Sequence, residues 1–275
     1  MYETMDFYVL YNRFLKKEGY QTLPRRPLEK RKLRYEDVYP VLYLKYRLSR
    51  QAERSNIKHL VIDEMQDYSR LQYLIIRRMF SCKMTILGDR AQTMADQQQD
   101  VLQFLPGIFG KDLRRIEMRK SYRNTVEIAS YAANLIGVTD LELFERHGIP
   151  VVERDVTDLE AALREAVDTL FPEEKTYETA AVIVPDEKTA ERAYLILREI
   201  LAEKDFDCEK RLSWLNRDSS SFKKGLTVTT FYLAKGLEFD QVFSIFPKDE
   251  KREMMMQAQY IAATRALHEL RVYHI

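Results

Sequence analysis

HLVIDEMQDYS, residues 59–69, is the stretch of this sequence that decides the fold. The apolar run at residues 60–62 has the composition of a short buried strand, which is typical of parallel sheets. Asp63 and Glu64 follow directly, so we expect them at the carboxyl end of the strand, where open α/β sheets bind ligands. Taken alone, an apolar run followed by two acidic residues is equally consistent with a charged turn.

The rest of the chain repeats this order of strand and helix. Further apolar runs lie at residues 84–87, 180–184, 226–232, 241–246 and 270–273, and helical patterns lie at 69–79, 124–136, 158–171, 187–202 and 252–267. This alternation predicts an α/β fold made of parallel βαβ units, with helices flanking the sheets. The loosest stretch, residues 216–224, is expected to be a surface loop.

Residues 1–52 have a different character and predict a helical segment. Phe7, Leu10 and Phe14 share one helical face, and a second helix should follow from Asp37. The apolar and aromatic face of that second helix would be Tyr39, Leu42, Tyr43 and Tyr46. Between the helices lies a basic cluster, which is either a contact for a nucleic-acid backbone or an acidic partner, or a solvated loop: Arg25, Arg26, Lys30, Arg31, Lys32 and Arg34.

Composition limits the function without deciding it. The 275 residues are 45% hydrophobic, which is enough to bury a core in one or two domains. The 44 Lys and Arg residues almost balance the 43 Asp and Glu residues, so bulk charge gives no argument for nucleic acid. Cys82 and Cys208 indicate neither a disulfide framework nor a zinc site. No apolar signal segment begins the sequence and no stretch approaches the about 18 residues of a membrane span, so we expect a soluble, cytoplasmic protein without a membrane partner.

Four more motifs follow the first one in sequence order: ILGDRAQ (86–92), SYRN (121–124), AKGLEFD (234–240) and AATRA (262–266). Together with VIDEMQDYS (61–69), they resemble the later nucleotide-binding and coupling motifs of superfamily 1, UvrD/Rep-like DNA helicases. The resemblance implies two RecA-like domains, the latter part of a first at residues 53–112 and a complete second at 113–275. It also implies ATP and Mg²⁺ as cofactors and DNA, in single-stranded form, as partner.

The phosphate loop of such enzymes, G-x-x-x-x-G-K-S/T, does not occur in the 275 residues. In the resembled family that loop lies upstream of all five motifs. We therefore expect the sequence to be the C-terminal part of an ATP-driven motor, and we expect the chain to be inactive by itself.

The resemblance assigns the chemistry of ATP hydrolysis to five side chains. Asp63 would hold the magnesium that bridges the phosphates, and Glu64 would polarise the attacking water. Gln92 would contact the γ-phosphate and link its state to the nucleic-acid site. Arg123 and Arg265 would reach the γ-phosphate from the second domain across the cleft, because a planar guanidinium suits phosphate oxygens.

The AKGLEFD segment and the strand before it would serve the nucleotide and the nucleic acid. Gly236 allows a sharp backbone turn, and Glu238 would contact the nucleotide sugar. Thr230, Tyr232 and Lys235 would lie near the nucleic-acid strand. Where this chain has Tyr232, relatives usually have a histidine, and tyrosine cannot become cationic. Relatives also carry a base-stacking aromatic residue soon after the glutamine of the ILGDRAQ motif, where this chain has Thr93, Met94 and Ala95.

Spacing refines the resemblance. The interval between Asn124 and Thr227 leaves no room for the large inserted domain of UvrD-type enzymes. With RYEDVYPVLYLKYRL (34–48), this resembles the HelD, helicase IV-like branch, some members of which act on RNA polymerase. Two alternatives to a DNA helicase or translocase therefore stay open. One is a HelD-type ATPase that binds and remodels RNA polymerase, and the other is a non-catalytic RecA-like binding module.

Overall fold

The computed structural model describes residues 6–49, 54, 56–89, 101–110, 113–118, 120–139, 142–204, 206–219, 223–248 and 253–275. Of these, the residues up to Arg115 form one compact unit and those from Ile116 onwards form another. The first unit contains α1 (Phe7–Lys17), α2 (Tyr35–Leu48), β1 (His59–Ile62), α3 (Arg70–Met79), β2 (Lys83–Ile86) and α4 (Val101–Phe109). Short 3₁₀ turns occur at Leu28–Lys30 and Met65–Asp67.

The two N-terminal helices pack through a face that differs from the predicted one. The buried residues of α1 are Tyr8, Tyr11 and Leu15, whereas Phe14 is 50% exposed. The prediction is therefore wrong by one helical position. The reason is a hydrogen bond: the Tyr11 hydroxyl donates to buried Asp37 at 2.9 Å, and this holds that side of α1 against α2. Burial and the hydrogen bond to Asp37 raise the pKa of Tyr11 to about 12.

The first unit also contains a two-stranded parallel sheet. β1 and β2 pair from His59 and Lys83 to Ile62 and Ile86, and α3 connects them. Ser69 caps the amino end of this helix, and its capping box with Gln72 satisfies the first free N–H groups. Val61 is 60% exposed, so the expectation of a fully buried strand is wrong for β1. The physical reason is that within the described residues β1 pairs with β2 alone, and Ile62 packs into a small core on one face.

The second unit is built on a six-stranded, all-parallel sheet. Its elements are β3 (Lys120–Ser121), α5 (Val126–Leu135), β4 (Glu142–Leu143), β5 (Val152–Asp155), α6 (Leu159–Asp168), β6 (Thr179–Val184), α7 (Glu187–Ala202), α8 (Cys208–Arg211), β7 (Leu212–Trp214), β8 (Gly225–Thr230), β9 (Phe239–Phe246), α9 (Glu253–Ala263) and β10 (Ala266–His274). The strand order of the large sheet is β5-β10-β9-β6-β8-β7, and β3 and β4 form a separate parallel pair.

Helices cover both faces of the large sheet, and this explains the unbroken apolar runs of its strands. In β6, five consecutive residues from Ala180 to Val184 are buried. Alternate residues enter two cores: Ala180, Val182 and Val184 pack with α6 and α7, and Ala181 and Ile183 pack with α5 and α9. The predicted fold class, α/β with parallel sheets flanked by helices, is confirmed.

Several element boundaries differ from the prediction, and two of them lie near the candidate site. The helical pattern at residues 252–267 is too long, because α9 ends at Ala263 and β10 begins at Ala266. The run at residues 226–232 ends as a strand at Thr230, since residues 231–237 form turns. The domain boundaries at residues 52 and 112 stay predictions. Among the described residues, no helix is long and apolar enough to cross a membrane.

Candidate functional site

The acidic pair lies where the sequence places it, at the carboxyl end of β1. Asp63 is exposed, and its Oδ1 accepts a hydrogen bond from the Glu64 N–H at 2.8 Å. Glu64 has φ 52° and ψ 52°, the left-handed region that non-glycine residues seldom occupy. Such strain tends to accumulate at functional sites. We call Asp63, Glu64, Gln66 and Gly88 the acidic edge.

Gln66 is the residue of the acidic edge that sequence reasoning left without a role. It is buried, its Nε2 donates to Glu64 Oε2 at 2.5 Å, and its Oε1 accepts from the Asp89 N–H at 3.1 Å. One amide side chain therefore connects the loops that follow β1 and β2. Its only signal in the sequence is its place in the D-E-x-Q-D motif.

Gly88, in the ILGDRAQ motif, is required by the close packing of the loops that follow β1 and β2. A Cβ atom at this position would lie 2.4 Å from Gln66 Oε1 and 2.6 Å from the Met65 backbone nitrogen. The backbone at Gly88 does not itself require glycine, because its φ is not positive. Only a residue without a side chain lets the two loops approach this closely.

Asp63 is the side chain of the acidic edge that could hold a magnesium ion. Among the described residues, no group of three His, Cys, Asp or Glu side chains could hold a metal ion. Mg²⁺ is usually bound through one or two carboxylates, with water and phosphate oxygens completing its shell. The exposed carboxylate of Asp63 suits that arrangement. Gln92, the third residue predicted to act here, lies outside the described residues.

In the second unit, three of the motifs meet at the amino ends of β9 and β10. Phe239 and Ala266 are paired as the first residues of these strands, and the Phe239 N–H donates to the Arg265 carbonyl at 2.9 Å. Glu238 and Arg265 precede the two strands and are therefore neighbours. Arg123, from SYRN, pairs with Glu238 through Nε and Oε1 at 2.6 Å. We call Arg123, Glu238 and Arg265 the arginine edge.

The two arginines of this edge differ in exposure. Arg265 is only 2% exposed. Its guanidinium donates to the Ile261 carbonyl at 3.2 Å, to the Leu237 carbonyl at 3.4 Å and to Thr264 Oγ1 at 3.1 Å. The side chain of Arg123, in contrast, is 46% exposed and its partner Glu238 is 41% exposed. Arg123 can therefore reach an anion in solvent directly. Arg265 supports the turn between α9 and β10; in this conformation its guanidinium cannot touch a ligand in solvent, and its contact with a γ-phosphate stays a prediction.

Gly236 provides the sharp turn that the sequence predicts. Its φ is +81°, and nothing lies within 4 Å of the place where a Cβ atom would be. Backbone conformation, and not lack of space, is therefore what requires glycine here. The turn lets the chain pass from the end of β8 to Glu238 at the start of β9.

Asn124 and Arg146 hold the arginine edge together, and sequence reasoning gave neither of them this role. Buried Asn124 donates through Nδ2 to the carbonyls of Thr264 and Ala266, at 3.3 and 2.6 Å. Arg146 donates through Nη2 to the carbonyls of Arg123 and Leu267, at 2.5 and 2.6 Å. Asn124 thus joins SYRN to AATRA, and Arg146 joins SYRN to the residue that follows AATRA. Asn124 belongs to a quoted motif, but Arg146 carries no signal in a single sequence.

A carboxylate supports the segment that carries Arg146. Glu127 accepts hydrogen bonds from the Gly148 N–H at 2.8 Å and from His147 Nδ1 at 3.0 Å. Desolvation opposes ionisation of Glu127, but hydrogen bonds from main-chain N–H groups and from His147 and Thr125 outweigh it and lower the pKa of Glu127 to about 2. Glu127 therefore stays ionised at neutral pH and ties residues 147–148 to the beginning of α5.

The residues predicted to contact nucleic acid are less uniform. Thr230, the last residue of β8, is fully buried, and its Oγ1 has no hydrogen-bond partner among the described residues. The Tyr232 hydroxyl donates to Glu187 Oε1 at 3.1 Å. Tyr232 and Lys235 are half-buried. In this conformation Thr230 cannot touch a ligand in solvent, and its role stays a prediction.

With this geometry established, comparison with known proteins identifies one family model. Residues 2–94, about a third of the chain, match the UvrD/REP helicase N-terminal domain. This match contains VIDEMQDYS and ILGDRAQ, so the resemblance inferred from these motifs is confirmed for this part of the chain. No curated protein matches the chain.

Solved structures with similarity to the chain include one domain of a possible helicase and two viral helicases. The C-terminal domain of a possible DNA helicase from Lactobacillus plantarum WCFS1 is 24% identical, with TM-score 0.43, over 56% of this chain and 88% of that one. The PRRSV helicase is 18% identical, with TM-score 0.42, over 79% and 35%. Arterivirus nonstructural protein 10 (helicase) with DNA is 15% identical, with TM-score 0.43, over 81% and 41%. The chain spans less than half of both viral chains.

Proposed function

We propose that this chain is the C-terminal portion of an ATP-dependent DNA helicase or translocase. In this proposal, hydrolysis of ATP drives movement along nucleic acid. The observation that carries the proposal is the arginine edge. There the motifs that begin at residues 121, 234 and 262 meet, and they place two arginines, whose guanidinium groups suit phosphate oxygens, next to Glu238.

The acidic edge supplies the other half of the proposed chemistry. Asp63 would hold Mg²⁺ against the phosphates, where the ion neutralises charge during phosphoryl transfer. Glu64 would accept a proton from the attacking water, and the hydrogen bond from Gln66 would fix the direction of its carboxylate. Gln92 would sense the γ-phosphate. Arg123 and Arg265 would stabilise the negative charge that builds up in the transition state, the usual source of rate in this chemistry.

The Arg123–Glu238 ion pair is suited to open when a nucleotide binds. A guanidinium next to an exposed carboxylate can exchange that partner for a phosphate oxygen, because exposed ion pairs contribute little free energy. Glu238 would then be free to accept hydrogen bonds from the nucleotide sugar. Arg265 is buried and held by main-chain carbonyls, so its guanidinium would have to be uncovered before it met a phosphate oxygen.

A DNA strand is the proposed track. Tyr232, Lys235 and Thr230, the last residue of β8, are the residues proposed to contact it. The arterivirus helicase that resembles this chain has been seen with DNA. An RNA polymerase partner receives no support from the comparisons, and no described feature favours a non-catalytic module over the motor.

The decisive experiment separates chemistry from binding in a protein that carries the phosphate loop upstream of this sequence. Glu64→Gln should abolish ATP turnover and leave nucleotide binding nearly intact, because it removes proton acceptance and keeps the shape. Asp63→Asn should instead weaken magnesium-nucleotide binding. Glu173→Gln, at an exposed loop position, is the matched control and should behave as wild type. Near-normal turnover of Glu64→Gln would refute the assignment of the base.

The 275-residue chain provides a second test. Backbone amides and a lysine of the missing loop normally supply most of the phosphate cradle. We expect the purified chain to bind ATP weakly and to hydrolyse it negligibly. Robust magnesium-dependent turnover by this chain would contradict the proposal that it is one portion of a motor.

A further inference from the structure

The structure divides the basic cluster between α1 and α2 into two groups. Arg31 and Arg34 are engaged within the protein. Arg31 Nη1 lies 2.8 Å from Asp6 Oδ2, and Arg34 Nε lies 2.6 Å from the buried carboxylate of Asp37. The other four side chains are exposed, and none forms an ion pair with a described residue; we call them the outward cations: Arg25, Arg26, Lys30 and Lys32.

The main chain that carries the outward cations is held in place. Buried Leu23 exchanges two hydrogen bonds with the Asn12 side chain, at 2.7 and 3.2 Å. The Tyr8 hydroxyl donates to the Pro24 carbonyl at 2.7 Å, and Arg31 Nε donates to the Arg26 carbonyl at 3.0 Å. The Arg31 guanidinium also lies 4.8 Å from the centre of the Tyr8 ring. A segment fixed in this way loses little conformational entropy when it binds a ligand.

Exposed aromatic rings flank the same segment. Tyr20 is 66% exposed and Tyr35 is 79% exposed. Residues 20–35 hold six basic residues and one acidic residue, in a chain whose net charge is only +1. A positive groove or strip with aromatic surfaces is the combination that binds single-stranded nucleic acid, since cations follow the phosphates and rings stack on bases.

We propose that residues 20–35 form a second binding surface for single-stranded nucleic acid, in the first unit. The outward cations contact phosphates, and Tyr20 and Tyr35 stack on bases. This surface is separate from Thr230, Tyr232 and Lys235, which belong to the second unit. The inference rests on the proposed function only for the kind of ligand, because its geometry is independent of the ATP-linked residues.

The test measures binding of a fluorescent oligothymidylate to the whole chain by anisotropy, over a series of salt concentrations. The variant R25Q/R26Q/K30Q/K32Q should bind on the order of 10²-fold more weakly at low salt, and the slope of log affinity against log salt should flatten by about 3. The matched control R154Q/R164Q/K204Q/K210Q removes the same charge from exposed, ion-paired positions in the second unit. It should bind as wild type.

Stacking has its own variant. Tyr35→Ala should weaken binding of the oligothymidylate about 5-fold or more and leave the salt slope unchanged, because stacking releases no counterions. Thermal unfolding of both variants should match wild type, since the changed side chains are exposed. Unchanged binding by the four-fold variant, or equal weakening by the matched control, would overturn the surface. Unchanged binding by Tyr35→Ala would overturn its assignment to single strands.

Lys235→Ala distinguishes this inference from the proposed function. If Lys235→Ala weakens binding and the four-fold variant does not, the second surface is refuted and the motor proposal stands. If the four-fold variant weakens binding and Lys235→Ala does not, the surface of residues 20–35 stands and the strand assignment of Lys235 fails. Weakening by both variants, with additive effects in the combined variant, supports two separate surfaces.

Discussion

The acidic edge follows a strand of the first unit, whereas the arginine edge precedes two strands of the second unit. Asp63 and Glu64 come after β1, whereas Glu238 and Arg265 come before β9 and β10. Residues after a strand are presented by the strand itself, which is why open α/β sheets commonly bind ligands at that end. The amino ends of β9 and β10 have no such help, and Asn124 and Arg146 from distant segments hold them. The strand that precedes it thus positions the acidic edge, whereas hydrogen bonds from distant segments position the arginine edge.

This difference predicts how substitutions act at each edge. A change in the acidic edge should act through a few neighbouring atoms, as at Gln66 and Gly88. A change in the supports of the arginine edge should act at a distance, because hydrogen bonds there join SYRN to AATRA across about 140 residues.

The largest effect should come from the arginines, in a protein that carries the phosphate loop. Arg123→Ala and Arg265→Ala should each lower ATP turnover on the order of 10³-fold or more, and leave ATP-free DNA binding roughly unchanged. Only Arg265→Ala should also lower the free energy of unfolding, by about 1.5–3 kcal/mol, because buried carbonyls lose a charged donor. Arg164→Ala, half-exposed on α6, is the control. Wild-type turnover of Arg123→Ala would refute the arginine edge as a phosphate site.

Two glycine variants compare the edges by stability. Gly88→Ala should destabilise the first unit by about 3 kcal/mol, because the new Cβ atom would overlap Gln66 and Met65. Gly236→Ala should cost only about 1–2 kcal/mol, since space is open and only the left-handed backbone is unfavourable. Urea unfolding measures both. An equal cost for the two variants would contradict the close-packing role of Gly88.

Asn124 tests whether the arginine edge is assembled at a distance. Asn124→Ala should lower the free energy of unfolding by about 1–3 kcal/mol, because the Thr264 and Ala266 carbonyls lose their shared donor. In the loop-bearing protein it should also lower ATP turnover. Exposed Asn134→Ala, on α5, should change neither quantity. If Asn124→Ala lowered stability with no loss of turnover, the support would be structural only.

The smallest effect concerns pH. Glu127 has a folded-state pKa of about 2, below its usual 4.5, so its ionised form stabilises the fold above about pH 4.5 and this contribution is lost as pH falls towards 2. Glu127→Gln should therefore be less stable than wild type by about 1 kcal/mol at about pH 6, and the difference should shrink on acidification. Urea unfolding at several pH values measures it. A difference that grows towards low pH would contradict the sign.

Much of the fold could be predicted from local pattern. The runs at residues 60–62, 180–184 and 241–246 lie within β1, β6 and β9, and the acidic pair lies at the end of β1. Apolar periodicity and motif order suffice for such features because they depend on residues close in sequence. The same rules misplaced two features that involve distant partners. One is the buried face of α1, where the Tyr11 hydroxyl donates to Asp37, and the other is the end of α9, where Asn124 donates to the Thr264 carbonyl.

The sequence by itself determined the parallel α/β architecture, the acidic pair after the first strand and the resemblance of five motifs to one helicase family. Only the tertiary structure decided that Arg123 pairs with Glu238, that Arg265 is buried, and that Arg146 joins two segments. Arg146 donates hydrogen bonds to main-chain carbonyls that lie 23 and 121 residues away in the sequence. The physical reason is that periodicity specifies which face of an element is apolar, whereas a hydrogen bond between distant segments depends on packing that no local pattern encodes.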